Sequence, residues 1–106
     1  MLFTFIETPV FTREIRSLLP DDDYRLLQKE LLFRPEAGDL IRGSGGLRKI
    51  RWNRPGKGKR GGLRIIYYFD KPYTMYMLFV YPKNRQETLT GRQLKYLTAI
   101  MKEYLV

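Results

Sequence analysis

Leu63-Arg64-Ile65-Ile66-Tyr67-Tyr68-Phe69, then Asp70-Lys71-Pro72-Tyr73, then Thr74-Met75-Tyr76-Met77-Leu78-Phe79-Val80-Tyr81: these nineteen residues decide the fold. Both flanking runs are rich in β-branched and aromatic residues. A polar, proline-containing quartet separates them, so together they read as an antiparallel hairpin. Alternation along the first run puts Leu63, Ile65, Tyr67 and Phe69 on one face and Arg64, Ile66 and Tyr68 on the other. Arg64 is the lone cation of an otherwise apolar strand.

Upstream, Leu47-Arg48-Lys49-Ile50-Arg51-Trp52 alternates as a third strand, with Arg48, Ile50 and Trp52 on one side and Leu47, Lys49 and Arg51 on the other. Residues 38–42 read either as a short strand or as irregular chain, and Leu2–Glu7 reads as a strand. Pro9 suits the opening of a helix over 9–18 that gathers Phe11, Ile15 and Leu18. Pro20-Asp21-Asp22-Asp23 signals a second helix, with an acidic residue to cap it and acids facing the positive dipole end. That helix aligns Tyr24, Leu27 and Leu31 and stops before Arg34-Pro35. Thr90 suits the cap of a last helix carrying Leu94, Leu97 and Met101. The expectation is a single α+β domain over 1–106. It has an antiparallel central sheet of four to five strands, two N-terminal helices packed on one face and a C-terminal helix. The helices are expected on one face, leaving the other as a shallow concave surface.

The 106 residues carry a formal charge of +9, and its distribution is uneven. Residues 40–69 hold nine bases (Arg42, Arg48, Lys49, Arg51, Arg54, Lys57, Lys59, Arg60, Arg64) and no acid, whereas residues 1–39 are net acidic. Like charges this dense repel one another, and phosphates relieve that repulsion while releasing counterions, so nucleic acid is the expected partner. The absence of cysteine and histidine excludes disulfides, thiol nucleophiles, Ser-His-Asp triads and His-based acid/base ribonuclease chemistry. The acid-free middle also lacks the clustered carboxylates of a metal nuclease, so neither metal nor cofactor is expected. No apolar run is long enough to span a bilayer, and the N-terminus lacks a signal peptide's basic start, so no membrane partner and a cytoplasmic location are expected.

Gly45-Gly46-Leu47-Arg48-Lys49-Ile50-Arg51, Gly58-Lys59-Arg60-Gly61-Gly62-Leu63-Arg64-Ile65-Ile66-Tyr67-Tyr68 and Tyr81-Pro82-Lys83-Asn84 together resemble the RelE/HigB superfamily of bacterial toxins, most closely its HigB-type branch. The helical stretch Asp22–Gln28 is similar as well. The resemblance implies a RelE-like toxin that enters the ribosomal A site and cuts messenger RNA. It also implies a cognate antitoxin, with a helix-turn-helix domain, as partner beside ribosome and mRNA. It carries catalytic roles to Lys49, Arg51, Arg64 and Lys83. The chain departs from some relatives in having Asn84 where they have arginine, with Arg85 one place along and no tyrosine in Glu87-Thr88-Leu89.

Cutting RNA without a metal needs a base for the 2′-hydroxyl, charge stabilisation and a proton for the leaving oxygen. A lysine crowded by cations loses its proton more readily, which makes Lys49 the leading candidate base and Lys83 the second. Arg51 and Arg64 fork onto phosphate oxygens. Arg48, Arg54, Lys57, Lys59, Arg60 and Arg85 rim the surface, and Tyr68, Tyr81 or Trp52 offer rings for base stacking. Two other functions fit the same residues: inhibition of a protein target such as DNA gyrase, and non-catalytic nucleic-acid binding.

Overall fold

The two strands of the hairpin pair over their whole length in the computed structural model, which describes residues 2–54 and 61–105. In chain order the elements are β1 (Thr4–Glu7), α1 (Pro9–Leu18), α2 (Asp21–Phe33), β2 (Asp39–Leu40), β3 (Arg48–Trp52), β4 (Leu63–Asp70), β5 (Thr74–Pro82) and α3 (Gly91–Tyr104). The five strands form one sheet in the order β1-β5-β4-β3-β2. The four strands from β2 to β5 are antiparallel, as expected, and β1 adds to the edge of β5 in parallel. Parallel neighbours need a long crossover, and here the whole of α1 through β4 supplies it.

Between Ile66 and Tyr67 the register of β4 on β5 shifts, leaving Leu78 without a cross-strand partner. The Thr8 hydroxyl donates to the Leu78 carbonyl at 2.8 Å and accepts from the Phe11 N–H at 3.1 Å. One side chain therefore caps α1 and ties it to the irregularity. Thr90 and Gln93 form a reciprocal capping box at the start of α3. At α2 the expected acidic cap is absent: Pro20 occupies the position and makes no side-chain bond. Asp21, Asp22 and Asp23 still lie in the first turn, where the helix dipole favours them.

Helices cover both faces, which corrects the expectation of one bare face. On one side Phe11, Ile15, Leu19, Leu27 and Leu31 pack on Leu63, Ile65, Tyr67, Met75, Met77 and Val80. On the other, Leu97 and Met101 of α3 pack on Leu47, Ile66, Tyr76, Leu78 and Tyr81. The unbroken apolar run Met77-Leu78-Phe79-Val80 marks a strand buried on both sides, so α3 had a second face to cover. On the β3 side of that face Lys49 and Arg51 replace apolar residues, and there Arg51 is exposed and Lys49 half-buried. Tyr67 closes the loop before β2: its hydroxyl accepts from the Gly38 N–H at 2.8 Å and donates to the Pro35 carbonyl at 2.9 Å. A Cβ on Gly38 would lie 2.8 Å from the Tyr67 ring, so the close approach demands glycine there.

Candidate active site

Strand register sets the site. Arg51 of β3 lies opposite Arg64 of β4, which lies opposite Tyr81 of β5, so one row of side chains crosses three strands on one face. Lys49 begins the next row, opposite Ile66. The alternation read from the sequence for β3 and β4 thus agrees with the pairing. Lys83 follows the end of β5 and is held beside the start of β4 by its N–H bond to the Gly62 carbonyl at 2.9 Å.

Arg64 is 6% exposed, far more buried than an arginine usually is. One terminal nitrogen reaches the Leu63 carbonyl at 3.4 Å and the other stands 3.7 Å from Glu87 Oε1. Its Nε has no hydrogen-bond partner among the described residues, and neither has the buried Tyr81 hydroxyl in the same row. Burial pushes the Tyr81 hydroxyl's pKa up; the Arg64 charge pulls it down and the Glu87 charge pushes it further up. Two buried donors without acceptors, one cationic, make a place where an anion would be welcome.

A cleft of about 270 Å³ opens alongside, lined by Asp39, Ile41, Lys49, Arg51, Thr88 and Leu89 among others. Asp39 pairs with Lys49 across β2 and β3, so a carboxylate faces this lysine. Lys49 is therefore not surrounded by cations alone, which was the premise for its expected role as base. The loop after β5 is pinned to the first turn of α3. Gln86 Nε2 donates to the Thr88 carbonyl at 2.9 Å and to Gln93 Oε1 at 2.8 Å, and Gln93 Nε2 returns a bond to Gln86 at 3.4 Å. Glu87, between these anchors, reaches Arg64. Sequence reasoning passed over Glu87 and Asp39, and its signal was available: Glu87 is the one acid between Asp70 and Glu103.

Other expected residues lie elsewhere. Arg48 points to the opposite face, where it binds the Glu36 carboxylate at 3.0 Å and the Gly38 carbonyl at 2.7 Å. It serves the fold rather than the cationic row. Tyr81, expected as a stacking platform, is fully buried and packs on Phe79 with ring centroids 5.7 Å apart. Its ring is unavailable to a base because α3 covers it. Trp52 packs against the α1–α2 core on the far face. Tyr68 stays on the site's face, half-buried, with its ring against Gly46. Arg54 Nε donates to the Gly61 carbonyl, and Arg85 is exposed. Lys57, Lys59 and Arg60 lie outside the described residues. Among the described residues no group of three or more carboxylates gathers as a metal site would require.

A family model described as the RelE toxin of the RelE/RelB toxin-antitoxin system matches residues 33–106, which include every residue of the cationic row and Glu87. Among solved structures, the chain is similar to the free E. coli toxin RelE carrying two arginine-to-alanine substitutions. The TM-score is 0.59 at 20% identity, covering 95% of this chain and 98% of that one. At that identity the likeness speaks for the fold: three helices and a five-stranded mixed sheet.

Proposed function

Since this chain belongs to the RelE toxin family, we propose that it is the toxin of a toxin–antitoxin pair and halts translation as a ribosome-dependent endoribonuclease, cutting messenger RNA in the A site. The observation that carries the reading is buried Arg64, its Nε unpaired among the described residues, flanked by Arg51 and Tyr81 beside an open cleft that Lys49 and Arg51 line. Arg64 and Arg51 hold the non-bridging oxygens of the scissile phosphate and stabilise the charge that grows on them. Lys49 and Lys83 flank that phosphate. The reaction proposed is metal-independent attack of the 2′-hydroxyl, which breaks the bond to the 5′-oxygen and leaves a 2′,3′-cyclic phosphate.

Dependence on the ribosome is supported by the fate of the rings expected to stack on RNA. Tyr81 is buried and Trp52 lies on the other face, which leaves half-buried Tyr68 of those three. Base stacking is the usual grip on a single strand. A cleft with charge and little stacking holds phosphates but does not orient one linkage, and the A site supplies that orientation. The cognate partner is an antitoxin with a helix-turn-helix domain, and the resemblance carried by Gly45–Arg51 and Tyr81-Pro82-Lys83-Asn84 supports a HigB-type toxin.

The test is cleavage of one defined mRNA by the purified protein, free and on programmed ribosomes. Cutting only on the ribosome, with a 5′-hydroxyl on the downstream fragment, is the expected result. No cutting in either form, with DNA gyrase supercoiling inhibited instead, would replace this reading by a protein-targeting toxin. Binding without cutting or gyrase inhibition would leave a non-catalytic module.

A further inference from the structure

Beside the cationic row, Glu87 of the loop after β5 is the carboxylate that faces Arg64, and its placement is specific. Glu87 Oε1 stands 3.7 Å from Arg64 Nη2. The separation is too long for a strong charge-assisted hydrogen bond, which runs near 2.7–2.9 Å. Glu87 is 64% exposed while Arg64 is 7% exposed. The pair therefore does little to hold the fold, since exposed partners contribute weakly. Yet the Gln86–Thr88 and Gln86–Gln93 bonds fix the backbone on either side of Glu87 against α3. This carboxylate is kept in front of Arg64 without being engaged by it.

Resting on the endoribonuclease reading above, we propose that Glu87 is the general base that takes the proton from the attacking 2′-hydroxyl. A phosphate seated on Arg64 brings the adjoining ribose beside the guanidinium, within reach of a carboxylate on the same group. A carboxylate is ready to accept a proton at neutral pH, whereas a lysine must first lose its own. Lys49 and Arg51 stand on β3, next to Arg64, and Thr88 and Leu89, which follow Glu87, line the same cleft as these two cations. The cleft therefore brings a carboxylate and a lysine to one phosphate, a base and an acid for the two proton transfers. In the step, the 2′-O–H bond breaks and its proton goes to a Glu87 oxygen while the 2′-oxygen bonds to phosphorus. The P–O5′ bond breaks, and its electron pair leaves on the 5′-oxygen, which takes a proton from the Lys49 ammonium. Water then returns the proton from Glu87 to Lys49 by exchange, so charge and atoms balance.

The opposite possibility is that Glu87 merely occupies the phosphate's place, as a displaceable stand-in. The two predict opposite signs. Single-turnover cleavage on programmed ribosomes, with ribosome affinity measured separately, is compared for the wild type, Glu87→Gln, Glu87→Ala and Glu87→Asp. As base, Glu87→Gln and Glu87→Ala lose about 10²–10⁴-fold in rate with affinity unchanged, and Glu87→Asp keeps a measurable part. Rates in Glu87→Gln and Glu87→Ala at or above wild type, with tighter binding, overturn the base and leave a stand-in. A uniform loss of affinity with rate retained at saturation also overturns it. If the wild type itself fails to cut, the fault lies with the endoribonuclease reading and not with Glu87. Thermal melts of all four proteins, expected within about 2 °C for so exposed a side chain, show that each is folded.

Discussion

Replacing Arg64 by methionine should make the protein more stable and inactive. The arginine side chain is 7% exposed, its Nε has no partner among the described residues, and its ionic contact at 3.7 Å is to a largely exposed carboxylate. An unsatisfied buried donor costs about 1–3 kcal/mol. A half-exposed ion pair returns no more than about 1 kcal/mol. Methionine reaches as far as the Nε position, fills the space of the arginine's stem and carries no donor, so Arg64→Met should gain about 1–2 kcal/mol. For a domain of this size each kcal/mol moves Tm by about 4–8 °C. Urea denaturation with unchanged slope, alongside growth arrest at matched expression, measures both halves. Inorganic phosphate adds a third reading: at tenfold its Kd it should stabilise the wild type by about 1.4 kcal/mol and the variant not at all. A variant less stable than wild type by more than about 1 kcal/mol would show that Arg64 supports the fold and refute the reasoning. So would full growth arrest by a stable variant.

Alkali should weaken the fold through Tyr24, whose pKa is raised first by burial and then by its bond to Glu7 at 2.5 Å. A tyrosine harder to deprotonate in the folded state contributes stability that is full below its unfolded pKa of about 10 and is lost as pH rises above it. Tyr24→Phe should therefore flatten the loss seen between pH 10 and 11 in urea midpoints, and an unchanged slope would point to other groups. Gly38→Ala should cost about 1–3 kcal/mol, because the added Cβ meets the Tyr67 ring at 2.8 Å and the Lys49 carbonyl at 3.0 Å. A neutral urea midpoint for this variant would contradict the tight packing described. The antitoxin complex should depend weakly on salt if the antitoxin leaves the cationic row open: less than about tenfold in Kd over a range where six or more phosphate contacts lose about 10³–10⁵. Collapse of affinity with salt would put the antitoxin on that row.

The hairpin Leu63–Tyr81 was legible because its residue types and its turn all point the same way. So was the placement of Lys49, Arg51 and Arg64 on one face, since a period of two leaves no freedom once β3 and β4 pair. Coverage of the second face was legible in principle: the run Met77–Val80 does not alternate, and a strand that does not alternate is buried twice. Reading only the alternating β4 missed it, and with it the burial of Tyr81. The parallel seating of β1 was not legible, because strand direction depends on where the chain returns after α1 and α2. The contact of Glu87 with Arg64 lay beyond the sequence for a similar reason. It depends on a loop whose path is set by Gln86 and Gln93, seven residues apart and bonded across the start of α3. Arg48 illustrates the opposite error, where a base counted toward the patch turned out to hold Glu36 and the carbonyl of Gly38.

The proposed function has the protein cutting messenger RNA only on translating ribosomes, with Arg64 holding the scissile phosphate. Primer extension on a cellular transcript after brief expression tests it most directly, comparing wild type with Arg64→Met at equal protein level. The account predicts new 5′ ends inside the open reading frame for the wild type. Those ends should disappear in the variant, and also for the wild type when the start codon is removed so that the message is not translated. Growth arrest by the wild type with no new ends, or the same ends on the untranslated message, would contradict it.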